Sequence, residues 1–189
     1  MILRVATPFD AANVREIYRP YVESSAISFE IEVPTVHDIA KRIASVLPTH
    51  PWLVAEDGRD ILGYAYAHSF ASRAAYRWSV ETSIYVRSHS HGQGVGKNLY
   101  QALFAILRVQ GFREAFAGIA LPNPRSVRLH ATFGFEPVAL YERVGWKLGN
   151  WHDVQWWQKP LREAGNAEPT EAIPMSELEN SLVASLLVS

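Results

Sequence analysis

The chain contains no cysteine. That removes disulfides, thiolate metal sites and a cysteine nucleophile together. It also lacks an excess of either charge: 18 Lys and Arg stand against 19 Asp and Glu, a net charge of −1, with the signs mixed along the sequence. There is thus no electrostatic footprint for nucleic acid or an anionic membrane, and the expected partner is a small molecule. No apolar run approaches the roughly 20 residues of a membrane span. The amino end, Met1-Ile2-Leu3-Arg4, has neither a long apolar core nor a cleavage-site pattern, which predicts a cytoplasmic protein. No internal repeat is present. What the chain does have is apolar content, 48% of 189 residues, enough for one well-buried core and too little length for two ordinary domains.

Hydrophobic periodicity predicts mixed α and β structure. Residues 2 to 6 read as a strand, and Thr7-Pro8 as a helix cap with proline at the first helical position, followed by Ala11, Val14, Tyr18 and Tyr21-Val22 on one face. Pro20 is expected to kink or end that helix. Thr35 is expected to cap a second helix reaching about Val46, and Trp52 to Ala55 with Ile61 to Ser69 to form a hairpin across Asp57-Gly58. Ala115 to Ile119 reads as a strand, Ser126 to Phe133 as a short helix ending at Gly134, and Phe135 to Val144 and Val154 to Trp157 as the last strands. Residues 1–162 form the expected catalytic domain and 163–189 a tail. Within the tail, 164 to 175 has a linker composition, and Ser176-x-x-Glu179 makes a capping box before Leu178, Leu182, Leu186 and Leu187. The tail is expected to dock as a short amphipathic helix on its own domain, with a second subunit as the alternative.

The most informative stretch lies in the middle. Val80, Thr82, Ile84 and Val86 alternate with Glu81, Ser83 and Tyr85, the period of a strand with two different faces. Leu99, Ala102, Leu103, Ile106 and Leu107 follow a 3.6-residue period that stops at Gly111, a helix with a glycine terminus. Between them stands His91-Gly92-Gln93-Gly94-Val95-Gly96-Lys97, a turn in which backbone amides converge at the positive end of the helix dipole. A pyrophosphate fits such a turn. The Walker pattern is excluded because Lys97 is followed by Asn98 rather than Ser or Thr, and the dinucleotide fingerprint because Lys97 stands where its third glycine belongs.

The remaining pattern, Gln/Arg-x-x-Gly-x-Gly/Ala, resembles the acetyl-CoA loop of the GNAT acyltransferases. The chain departs from it in carrying His91 at the first place, which suggests a pH-sensitive grip on the cofactor. From Trp52 to Gln158 it resembles the phosphinothricin N-acetyltransferase branch of that superfamily. The resemblance rests on Arg73-x-x-Tyr76-x-Trp78-x-x-Glu81, Ile84-Tyr85-Val86, the glycine loop, Leu121-Pro122-Asn123, Ser126-Val127-Arg128-Leu129-His130 and Gly149-Asn150-Trp151-His152-Asp153-Val154. Tyr21-Val22-Glu23 and Ser28-Phe29-Glu30 agree with it near the amino end.

This resemblance implies a GNAT fold: a central, mostly antiparallel sheet splayed at the acetyl-CoA site and flanked by helices. It implies acetyl transfer from acetyl-CoA to the α-amine of a small amino-acid analogue of the phosphinothricin, methionine sulfone or methionine sulfoximine type, by direct attack in a homodimeric enzyme. Glu81 is the implied base and His130, whose near-neutral pKa would suit proton transfer, the implied acid toward the leaving thiolate. Ile84, Tyr85, Val86, Gly92, Gln93, Gly94, Val95, Gly96, Lys97 and Asn123 are the implied cofactor contacts, with the oxyanion on the amide of Tyr85 or Val86. Phe29, Arg73 and Tyr76 are the implied acceptor contacts. The residues taken alone leave plainer readings open: a strand glutamate paired with an arginine, a turn asparagine after Pro122, a satisfied helix histidine, a surface arginine and core aromatics. Trp151-His152-Asp153 with His89 and His91 matches no standard zinc spacing, and the family needs no metal. A non-catalytic acetyl-CoA-binding regulator and an acetyltransferase of protein amines are the alternative functions.

Overall fold

Seven segments pair into one sheet, ordered β1-β2-β3-β4-β5-β7-β6 in a computed structural model that describes every residue except 59, 164, 166–168 and 189. In chain order the elements are β1 (Ile2–Val5), α1 (Ala11–Glu23), α2 (Val36–Val46), β2 (Trp52–Asp57), β3 (Asp60–Ser69), β4 (Ser79–Val86), α3 (Val95–Gln110), β5 (Glu114–Ala120), α4 (Pro124–Thr132), β6 (Glu136–Lys147), β7 (Asn150–Pro160) and α5 (Asn180–Leu187). All neighbours are antiparallel except β4 and β5. Among the described residues, no helix is long and apolar enough to cross a membrane.

The period-two alternation of the strands divides the core in two. Leu53, Ala55, Ala65, Ala67 and Val80 meet α3 on one face, and Trp52, Val54, Ile61 and Tyr64 meet α1 and α2 on the other. Along α3, Leu99, Leu103, Ile106 and Leu107 are wholly buried. Truncating one such leucine to alanine costs about 2–5 kcal/mol by loss of contact and the cavity left behind.

Four sequence expectations shift at this level. Pro20 does not end α1, which runs on to Glu23, because the proline sits in the last turn and Tyr18 and Tyr21 hold that turn against Tyr85. Pro8 opens a separate turn of 3-10 helix, Pro8–Asp10, before α1 begins. The last two strands are longer than expected and form one hairpin. Leu148 and Gly149, at φ 51° and 76°, make the tight turn, and Asp153 Oδ1 accepts from Arg143 N–H at 2.7 Å where β6 bulges. The capping box at Ser176 does not form: its hydroxyl donates to Pro48 O at 3.0 Å, and α5 starts at Asn180 with Glu179 as its cap residue.

The tail is tied to the rest of the chain. Residues 164 and 166–168 of the expected linker lie outside the described residues. Beyond them Trp78 Nε1–H donates to Thr170 O at 2.9 Å, and Ile173 exchanges hydrogen bonds with Gln110 at 2.7 and 2.8 Å. Met175 and Val183 join the core beside α3.

Candidate active site

The sheet opens at its centre. β4 and β5 pair only at Ser79–Glu114, Val80–Ala115 and Glu81–Phe116, while β5 stays paired with β7 as far as Ala120. Beyond Glu81 the two parallel strands diverge, leaving the main chain of β4 unpaired on that side. Which amides are free follows from the antiparallel alternation with β3. Phe70 N–H donates to Ser79 O and Arg87 N–H to Leu62 O, so odd-numbered residues bond to β3 and the amides of Thr82, Ile84 and Val86 face the gap. The Tyr85 amide is therefore committed to β3, and of the two expected oxyanion donors Val86 alone faces the gap.

The glycine turn lies at the mouth of this gap. Gly94 adopts φ 83°, a left-handed conformation that a Cβ would strain, and caps α3. The first bond of the helix runs from Asn98 N–H to Gly94 O, so the amides of Val95, Gly96 and Lys97 have no intrahelical acceptor. They point outward at the positive end of a 16-residue helix. A cleft of about 680 Å³ runs from this turn into the gap, lined by the turn, by Thr82 to Val86, by Ala117 to Ala120 and by one side of α4.

Of the expected cofactor residues, Ile84, Tyr85, Val86, Gly92, Gly94, Val95, Gly96, Lys97 and Asn123 all line this cleft. Gln93 does not; its side chain turns away to His89 O at 2.8 Å. Asn123 Oδ1 accepts from Ser126 N–H at 3.2 Å and caps α4, which leaves its amide nitrogen for the cleft. His91 is a structural bridge. Its Nδ1 accepts from Arg125 at 2.8 Å, and a guanidinium only donates, so the ring proton is on Nε2, 3.0 Å from Val86 O and 3.2 Å from the Tyr21 hydroxyl.

A second cavity of about 430 Å³ adjoins the first. The two share Ile27, Ser83, Tyr85, Gly118 and Ala120 as lining, and Glu81, Phe29, Glu30 and Trp156 line only the second. Strand alternation explains the placement, since Glu81, Ser83 and Tyr85 share the face opposite Val80, Thr82 and Ile84. Burial raises the carboxyl of half-buried Glu81 above the usual carboxylate range, with His68 opposing. The outer wall comes from the segment before α2, held by the β6–β7 hairpin. Lys147 donates to Ser28 O at 2.7 Å, and the Phe29 ring lies on Gly145 so closely that a Cβ there would sit 2.1 Å from it. Glu30 is neutralised by a two-pronged contact with Arg42 at 2.6 and 3.0 Å and accepts from the Tyr18 hydroxyl.

Three expected assignments do not follow the geometry. Arg73 and Tyr76 line neither cavity; they lie exposed around the turn Ala74–Tyr76, where Tyr76 meets the edge of Phe70. His130 does reach the cleft, but burial pushes its pKa down to about 4, not the near-neutral value that proton transfer requires. Its Nδ1–H is taken by Ser126 O at 2.8 Å, so its Nε2 accepts from the Tyr100 hydroxyl at 2.9 Å. The Trp151-His152-Asp153 run is engaged within the hairpin, with His152 Nε2 2.9 Å from Lys147 O. Among the described residues no group of three His, Cys, Asp or Glu side chains is placed to hold a metal ion.

Sequence reasoning missed Tyr100, Arg125, Ser83 and Ile27. Ser83 was accessible from the alternation that placed Glu81. The others reach the site only through tertiary packing.

Residues 3–156 match the Acetyltransferase (GNAT) domain family. The phosphinothricin N-acetyltransferase of Streptomyces viridochromogenes is 37% identical over 172 residues, covering 90% of this chain and 93% of its own. The L-methionine sulfoximine/L-methionine sulfone acetyltransferase of Salmonella typhimurium is 35% identical over 164 residues, covering 86% and 96%. Among solved structures, a GNAT superfamily phosphinothricin acetyltransferase from Sinorhizobium meliloti in complex with AcCoA superposes with a TM-score of 0.86 at 37% identity, covering 90% of this chain and 94% of that one. With a splayed parallel pair, a glycine turn capping α3 and this similarity over most of its length, the chain belongs to the GNAT acetyltransferases and is an acetyl-CoA-dependent N-acetyltransferase.

Proposed function

We propose that the enzyme moves acetyl from acetyl-CoA to the α-amine of a small amino-acid analogue, of the kind named for its relatives: phosphinothricin, methionine sulfone or methionine sulfoximine. The observation that carries this reading is the position of Glu81. It lies at the wall of the second cavity, on the strand whose other residues line the cofactor cleft, with its carboxyl raised by burial toward the range of a working base. A cavity of about 430 Å³ walled by Phe29 and Trp156 suits one small amino acid. It gives no support to a protein-amine groove, and a base at the acceptor side distinguishes an enzyme from a regulator.

In this mechanism the pyrophosphate is held by the amides of Val95, Gly96 and Lys97, and the Asn123 amide nitrogen donates to the pantetheine arm. Glu81 removes a proton from the ammonium, directly or through a water, and the amine attacks the thioester carbonyl. The Val86 amide, already unpaired, donates to the developing oxyanion without reorganisation. As the carbon–sulfur bond breaks, the nitrogen releases its second surplus proton, which passes through the solvent-open cleft to the departing thiolate, leaving the amide and the free thiol. His130, neutral and with both nitrogens engaged, serves as a positioning group for Tyr100. Arg73 and Tyr76, outside both cavities, take no part in these steps.

Glu81→Gln is expected to lower kcat by about 10²–10⁴-fold with little change in acetyl-CoA affinity. Steady-state kinetics by thiol release with phosphinothricin and L-methionine sulfone measures this, and full activity across the pH range would remove Glu81 from the mechanism.

The same proposal has the enzyme cytoplasmic, acting on free small molecules rather than on nucleic acid or a membrane, and homodimeric. Support for the dimer comes from β6, an edge strand whose Val138, Leu140, Tyr141, Val144 and Trp146 are exposed. Light scattering is expected to give twice the chain mass, and monomer at every concentration would overturn it.

A further inference from the structure

His68 stands directly across from Glu81. The two are register partners on β3 and β4 and so project from the same face of the sheet. His68 Nδ1 is 3.0 Å from Ser69 O, and a carbonyl oxygen only accepts, so Nδ1 carries the proton of the neutral ring. The lone pair of that ring is then on Nε2, which is 3.9 Å from Glu81 Oε2. The imidazole is 39% exposed and the carboxylate 28%. The pair thus joins the wall of the acceptor cavity to solvent.

We propose that His68 is the proton exit of the reaction: it takes from Glu81 the proton that Glu81 has removed from the acceptor amine, and passes it to solvent. This rests on the reading of Glu81 as the base. The N–H bond of the ammonium breaks as an O–H bond forms on Glu81. That O–H bond then breaks as an N–H bond forms at His68 Nε2, leaving an imidazolium between Ser69 O and the restored carboxylate. Loss of the proton to water returns the neutral ring. The gap is about 1 Å longer than a hydrogen bond, a distance closed by a side-chain adjustment or by one bridging water. An imidazole gains and loses a proton near neutral pH, which a carboxylate in water does not.

The surroundings favour this route over others. The groups facing the pair are the Tyr66 ring, 5.9 Å from His68, the Ser83 hydroxyl beside Glu81, and His50 from the α2–β2 connection, whose pKa is pushed down to about 4 chiefly by burial. Glu30 and Lys147 are engaged elsewhere, with Arg42 and Ser28 respectively. Among the described residues His68 is the group whose charge acts on the Glu81 carboxyl, opposing the effect of burial.

The test compares pH–rate profiles of the wild type, His68→Gln, His68→Ala and Glu81→Gln, using acetyl-CoA and phosphinothricin, with L-methionine sulfone as second acceptor. His68→Gln is expected to lower kcat about tenfold, within the range of a lost proton-transfer group. KM for acetyl-CoA should hold, and the acid limb of kcat/KM should move to higher pH because Glu81 loses its cationic neighbour. Added imidazole should restore much of the activity of His68→Ala and none of that of Glu81→Gln. A His68→Gln enzyme with wild-type kcat and an unmoved acid limb overturns the proposal, as does failure of imidazole to act on a His68→Ala protein with wild-type circular dichroism. Full activity of Glu81→Gln would instead overturn the underlying assignment of the base.

Discussion

The donor cleft and the acceptor cavity share the strand β4, yet they are built from different material. The cleft grips through main chain: free amides of Val95, Gly96 and Lys97, the unpaired edge of β4, and a glycine in a left-handed conformation. The cavity grips through side chains brought from three places in the sequence, Phe29 and Glu30, Glu81, and Trp156. A main-chain site depends on backbone geometry and tolerates side-chain change; a side-chain site can be retuned by one substitution. The donor is therefore common across such a fold, and the acceptor is where members differ.

Substitutions that injure one side and spare the other test this contrast. After Glu81→Gln, Gly145→Val is expected to have the largest effect, because even its Cβ would fall 2.1 Å from the Phe29 ring and drive it from the acceptor wall. KM for the amine should rise by about tenfold or more, on the order of 1–3 kcal/mol of lost packing, while KM for acetyl-CoA is unchanged. Gly94→Val is the mirror experiment. A β-branched residue at φ 83° costs about 1–2 kcal/mol, so acetyl-CoA affinity by calorimetry should fall about tenfold, and the amine site should be spared.

The third test concerns acid stability. His130 has a folded pKa of about 4 against an unfolded value of 6.5, so between those values the unfolded chain binds more protons and stability falls as pH falls. The loss from pH 7 to pH 4 is up to roughly 3 kcal/mol, and His50 adds to it in the same direction. Urea unfolding at several pH values measures the slope, which His130→Gln should flatten. Smaller again is His91→Ala, which removes both the acceptor of Arg125 and the donor to Val86 O at the phosphate end of the cleft. Acetyl-CoA affinity by calorimetry should fall about twofold to fivefold, with the amine site spared. Arg73→Ala sets the floor of the series: an exposed residue outside both cavities should change KM for the amine by less than about twofold.

The same contrast explains what was legible in the sequence. The donor side was read from one continuous stretch, because alternation over Val80 to Val86 and a 3.6-residue period over Leu99 to Leu107 are local signals, and the glycine turn between them is local too. Glu81 could be placed on its face by counting. The acceptor wall was not readable in this way. Phe29 reaches it only because Gly145, more than a hundred residues later, lets the ring approach, and no local pattern announces that pairing. The burial of His130 beneath Tyr100 and Phe135, which lowers its pKa, is likewise not revealed by its helical position. The long β6–β7 hairpin was shortened in the reading because its exposed strands follow no clean alternation.

The last turns of the chain have a practical consequence. Gln110, at the end of α3, donates through one amide nitrogen to both Thr49 O and Ile173 O, and so fastens the tail and the α2–β2 connection to the same helix. Deleting the residues after 162 would strip the cover from α3 and β1 and open the core at Met175 and Val183. For anyone trimming this enzyme, the final helix has to stay, since Val183 and Met175 plug the hydrophobic interior beside α3.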